Sequence, residues 1–133
     1  MKNKIIYIKI LQYLLAAILL LFGLNGFFNF LPMPESPQPA SEFFGSLIQS
    51  GFMMPLIFGV EIIVGILLLI NRYVPLGLLL FAPIALGILL YHLFLDPAGG
   101  IAGYFTFLIE VILLFSYKEV YKPILQKNKN SIG

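Results

Sequence analysis

Two glutamates stand where water-soluble proteins rarely put them. Glu61 lies nine residues into one long apolar run and Glu110 nine residues into another. At 1.5 Å per helical residue, each carboxyl sits roughly 14 Å from the start of its run. No Lys or Arg lies at that depth to pair with either, and an acid at the centre of a membrane helix costs about 2.5–3.5 kcal/mol to insert. Carboxyls so placed have three uses. As polar glue, each is protonated and hydrogen-bonds an Asn, a Tyr or a backbone group on a neighbouring helix; such bonds average only ~0.6 kcal/mol in membranes, so glue barely offsets the insertion cost. As a ligand or proton site, one carboxyl donates to a quinone-like carbonyl. As metal ligands they lack support: a di-iron bundle needs Glu-x-x-His spacing, which is absent, and His92 is the only imidazole. The absence of cysteine removes disulfides, thiolate metal sites, haem attachment and CxxC redox relays.

Other polar residues are spaced to join the acids. Asn25 and Asn29 are four apart and share a helix face. Gly103, Thr106, Glu110 and Tyr117 form a narrow stripe that should face protein, because lipid offers Glu110 nothing. His92 and Asp96 are also four apart; they are expected to form a hydrogen-bonded cap near a helix end, with a proton entry point as the alternative. A ligand site built from these residues has Glu61 and Glu110 at its floor, Asn25 and Asn29 on one wall, Thr106 beside Glu110 and His92 at its rim.

The elements that must position these groups follow from composition. Of 133 residues, 60% are apolar and 11% charged, against roughly 45–50% and about 25% in soluble domains, and mean hydropathy is +1.00. A soluble domain this small has too much surface for its volume to hide so much apolar material. Intrinsic disorder is excluded on the same grounds. Nucleic-acid binding is excluded because the formal net charge is only +2 and the basic residues form no patch. Four runs approach the ~20 residues that cross a hydrocarbon layer: about 10–31 with an amphipathic lead-in from Ile5, about 52–70, about 73–95 and about 101–117. Each is expected to be a helix, since backbone groups in lipid must be satisfied internally. The expected fold is an all-α, integral membrane four-helix bundle, up-down and antiparallel, forming a single domain over 1–133.

Alternating directions put Lys2, Lys4, Lys9, Arg72, Lys118, Lys122, Lys127 and Lys129 on one side, and Glu35, Glu42 and Asp96 on the other. The positive-inside rule makes the first side, with both termini, cytoplasmic. The first run follows three lysines as a secretory signal does, but it is too long and lacks a small-x-small cleavage site, so it is expected to stay as a helix. In the first outer loop, Pro32, Pro34, Pro37 and Pro39 lead to Ser41, which is expected to cap a short interfacial helix over about 41–50. Phe43, Phe44, Leu47 and Ile48 share one face of it. It either anchors the loop or lids a cavity. Pro83 is expected to kink the third span. Most phenylalanines, including Phe22, Phe27, Phe28, Phe30, Phe94 and Phe105, map to the outer half, where a Phe-rich mouth is expected. The Lys/Asn tail after Pro123 is the only low-complexity tract.

Two stretches resemble the DoxX-like family of small membrane proteins. Leu21-Phe22-Gly23-Leu24-Asn25-Gly26-Phe27-Phe28-Asn29-Phe30-Leu31-Pro32 is similar to its first-helix motif. Gly59-Val60-Glu61 through Asn71-Arg72 is similar to its second-helix signature, Glu-x-x-x-Gly-x-Leu-Leu-Leu followed by a basic turn. Ala82-Pro83-Ile84 and Tyr91 through Pro97 fit a common bacterial branch. The resemblance runs from about Leu20 to Asp96 and implies a four-helix bundle in the bacterial cytoplasmic (inner) membrane. It also implies an accessory subunit of a redox complex, with the bilayer and redox proteins as partners. Asn29 replaces a common lysine, and no arginine opens the first helix, which weakens any anionic-substrate site. No intrinsic cofactor is expected, and the candidate ligand of the outer-half pocket is a quinone or a lipid-like molecule. The other expectation is a non-catalytic partner-binding or assembly protein whose buried polar residues serve packing.

Overall fold

The structure, a computed structural model, describes residues 2–126. The described residues are all-helical, with no strand. The elements are α1 (Lys2–Phe28), α2 (Gln38–Gln49), α3 (Met53–Leu69), α4 (Val74–Leu95), a 3₁₀ turn (Pro97–Gly99), α5 (Ile101–Ser116) and α6 (Lys118–Tyr121). Lys127 and Lys129 of the basic tail lie outside the described residues.

α1 and α4 are long and apolar enough to cross a membrane, and α2 with α3 makes a third such unit, bent by 88° at their junction. α5 is apolar but shorter, at 16 residues. The long helices are apolar all round. Ile10, Leu14 and Leu21 on α1, Leu56 and Ile63 on α3, Leu80 and Leu90 on α4, and Leu108 and Phe115 on α5 are all exposed. Such a surface suits helices whose outer faces meet lipid rather than water.

Helix ends explain where the expected boundaries move. α1 starts earlier than Ile10 because nothing in 2–9 breaks a helix, and it stops at Phe28 rather than Leu31. Asn29 turns left-handed (φ 52°) and its N–H donates to the Asn25 carbonyl at 2.8 Å, a helix stop that Asn tolerates. α3 closes with Asn71 left-handed (φ 58°). The Asn71 and Arg72 N–H groups reach back to the Leu68 and Leu67 carbonyls, the Schellman pattern. α2 begins three residues before the expected Ser41. Pro37 occupies the N-cap position, and the Ser41 hydroxyl instead donates to the Gln38 carbonyl inside the helix. The proline-rich lead itself starts this helix, as fixed φ angles suit a first turn. α4 continues as helix through Pro83, whose ring lies on the exposed face.

α1 lies against α3, α3 against α4, and α5 against both α4 and α1. Between helices this apolar, packing and close approach supply the cohesion. The α1–α3 seam runs antiparallel on small residues. A Cβ on Gly23 would fall 2.8 Å from Ile62, one on Gly65 would fall 2.8 Å from Leu20, and the Phe58 ring covers Gly26. Leu15, Leu19, Val64, Leu68, Phe81 and Ile109 meet in the core. α2 rests across one end: Ala40 is fully buried, the Tyr91 hydroxyl of α4 reaches its carbonyl at 3.4 Å, and Phe43 packs 5.9 Å from the Tyr91 ring.

Candidate functional site

Glu61 sits midway along α3 and Glu110 in the second half of α5. Gly77 of α4 faces Val64 and Leu67, and Gly103 of α5 faces His92 and Ile88. Continued along the helices, these two registers bring both acids to the level of Phe81–Ala85 on α4. The Glu61 side chain starts beside Gly23 of α1, where an added Cβ would come within 3.2 Å of its own Cβ. A side chain larger than hydrogen at position 23 would compete with the glutamate for that space.

Both acids are buried, Glu61 to 6% exposure and Glu110 to 1%. Neither is satisfied. Glu61 Oε2 and both carboxylate oxygens of Glu110 are buried with no hydrogen-bond partner among the described residues. A buried polar group left so costs about 1–3 kcal/mol. Native folds keep very few such groups, and each one needs a reason. The glue expectation required bonds from these carboxyls to neighbouring helices; those three oxygens make none.

The remaining expected site residues have other duties. Asn25 is buried, and its Oδ1 accepts from the Leu31 N–H at 2.6 Å, tying down the chain as it leaves α1. Asn29 is exposed and outside the helix, so it shares no helical wall with Asn25. The Thr106 hydroxyl donates to the Ala102 carbonyl of its own helix at 2.8 Å. His92 is half-buried over Gly100 and Gly103, between the rings of Tyr91 and Tyr104. Its Nδ1 lies 3.3 Å from the backbone oxygen of Asp96, while Asp96 Oδ1 accepts from Gly99 N–H. The pair therefore forms a cap that seats the start of α5 on the end of α4. The phenylalanines expected to form a mouth do not gather: Phe28, Phe30, Phe94 and Phe105 are exposed, and Phe27 packs edge-on to Phe58 at 5.9 Å. Among the described residues no cluster of three or more His, Asp or Glu is able to hold a metal.

A polar cluster that the spacing argument passed over lies near the other end of the helices. Gln12 of α1 is fully buried. Its Nε2 donates to the Leu68 carbonyl and to Asn71 Oδ1, both at 2.9 Å. Its Oε1 accepts from Lys9 Nζ at 3.2 Å and from the Tyr117 hydroxyl at 3.4 Å. Lys9 also bonds Asn71 Oδ1 at 2.7 Å. The available signal was a lone amide three residues after Lys9, just inside an apolar run. Beyond Tyr117, burial pushes the Tyr121 phenol up to about 12, with smaller raising contributions from Glu110 and Tyr117. Its hydroxyl donates to the Pro75 carbonyl at 2.7 Å.

No family model matches this chain, and no curated protein or solved structure matches it either.

Proposed function

We propose that this chain is a multi-pass membrane protein in which α1, α3, α4 and α5 cross the bilayer as an up-down antiparallel four-helix bundle. The basic ends and the Arg72 turn face the cytoplasm, in a bacterial inner membrane, and α2 lies at the outer interface. It serves as an accessory subunit of a membrane redox complex, holding a quinone- or lipid-like ligand within the bundle. The DoxX-like resemblance supplies the redox setting. The single observation that supports the site is the pair of buried carboxyls, three of whose oxygens have no hydrogen-bond partner among the described residues. A ligand carbonyl or hydroxyl between α3 and α5 gives them the missing partner and recovers part of their insertion cost. Asn25, Thr106 and His92 drop out of the direct contacts because each is committed to a backbone group or helix end, and Asn29 drops out because it is exposed outside the helix. Glu61 and Glu110 remain.

The test is thermal unfolding of the purified protein in detergent with decylubiquinone. Wild type is expected to melt at a higher temperature with the quinone, whereas Glu61→Gln and Glu110→Gln are expected to lose most of that shift while keeping the ligand-free melting temperature. An equal shift in all three proteins, or none in wild type, contradicts the ligand reading. The non-catalytic assembly reading would then stand, with the caps at Asn25 and His92 and the Gln12 cluster as its structural basis.

A further inference from the structure

The end of the molecule opposite α2 carries a feature that the acids do not use. The helical line breaks at Tyr117, and α6 packs against the beginning of α4, held by the bond from the Tyr121 hydroxyl to the Pro75 carbonyl. Between them lies an apolar groove of about 290 Å³. Leu76 and Leu79 of α4, with Tyr73 just before it, form one side and Val120 of α6, with Ile124 just after it, the other, with Tyr121 buried at its base. The four aliphatic side chains are all exposed. Along α4 the groove rises six residues, roughly 9 Å of helix.

Charge is gathered at its mouth and nowhere along its length. Arg72 directly precedes Tyr73, Lys118 opens α6 and Lys122 follows its last residue, all three exposed. Only Glu119 opposes them, paired to Lys122 at 2.7 Å. An elongated apolar body ending in a negative charge matches this shape. We propose that the α4–α6 groove binds an anionic phospholipid, with one acyl chain along Leu76 and Leu79 and the headgroup phosphate between Arg72 and Lys122. The proposal rests on the membrane reading above, which makes lipid the apolar molecule that always bathes this face. Basic residues at a membrane surface each attract anionic lipid, and the groove converts that general attraction into a fixed site.

Native mass spectrometry of the detergent-purified protein tests it, using equimolar phosphatidylglycerol and phosphatidylcholine with identical chains. Wild type is expected to retain phosphatidylglycerol about fivefold or more over phosphatidylcholine. Arg72→Gln is expected to lower that preference about fivefold while leaving phosphatidylcholine retention unchanged. Leu76→Trp, which fills the groove, is expected to lose both adducts. Should either variant elute as aggregate, Lys122→Gln and Leu79→Trp replace it. Equal retention of the two lipids by wild type, or an unchanged preference in the charge and groove variants, overturns the site. Alkaline carbonate extraction separates the two possible failures. A chain released from membranes by carbonate overturns the membrane reading and the groove together, whereas a chain that stays but shows no lipid preference overturns the groove alone.

Discussion

Gln12 and Glu110 are both polar, both buried and both walled in by apolar helices, yet they are treated oppositely. Gln12 has two donors and two acceptor sites in its amide, and all are used: two bonds leave its nitrogen and two arrive at its oxygen. Those bonds tie α1 to the end of α3 and to Tyr117 after α5. Glu110, with two oxygens, uses neither within the described residues. The same chain thus knows how to satisfy a buried polar side chain and does not do so for its acids. The difference separates structural polarity from polarity held in reserve, and it is open to direct attack.

The largest effect belongs to the satisfied side. Gln12→Ala strands the Tyr117 hydroxyl and removes a partner from Leu68, Asn71 and Lys9, and it is expected to cost about 2–3 kcal/mol in an SDS-titration unfolding assay. A loss below ~0.5 kcal/mol would mean that the cluster contributes little, and the contrast would collapse. Next comes the seam beside Glu61. Gly23→Val places atoms against Ile62 and the Phe58 carbonyl, and overpacking of this kind costs about 1–3 kcal/mol. Gly59, with open space around it, is the control: Gly59→Ala is expected to be neutral or to gain about 0.5 kcal/mol in the same assay. Below the Gly23→Val loss comes Asn25→Ala, which frees the Leu31 N–H and is expected to cost about 1 kcal/mol. If Asn25→Ala instead abolishes the quinone-dependent thermal shift, Asn25 belongs with the acids and the line between reserved and structural groups must be redrawn.

The helical character and the apolar runs were legible because hydropathy and periodicity are properties of whole segments. Glu61 and Glu110 were legible for the same reason, since an acid inside an apolar run has no soluble alternative. Helix ends were less so. Asn29 looks like one more residue on the Asn25 face until its left-handed backbone takes it out of the helix, and Ser41 looks like a cap until the prolines before it begin the helix first. The roles of Asn25 and Thr106 were hidden because a side chain that bonds its own backbone leaves the same spacing as one that lines a site. Gln12 was missed because its worth depends on Leu68, Asn71 and Tyr117, partners from distant parts of the chain that only packing brings together. The short α6 and its groove are invisible in the pattern for a similar reason: a basic, mixed segment after the last run reads as tail.

The central claim is that the acids are buried without holding the fold together. The stability of Glu110→Gln, measured beside Gln12→Ala by SDS titration in the absence of any quinone, tests it most directly. Wild-type stability within ~0.5 kcal/mol is the predicted result, because the carboxyl has no hydrogen bond to lose among the described residues. A loss as large as that of Gln12→Ala would show Glu110 to be a structural tie and would contradict the account.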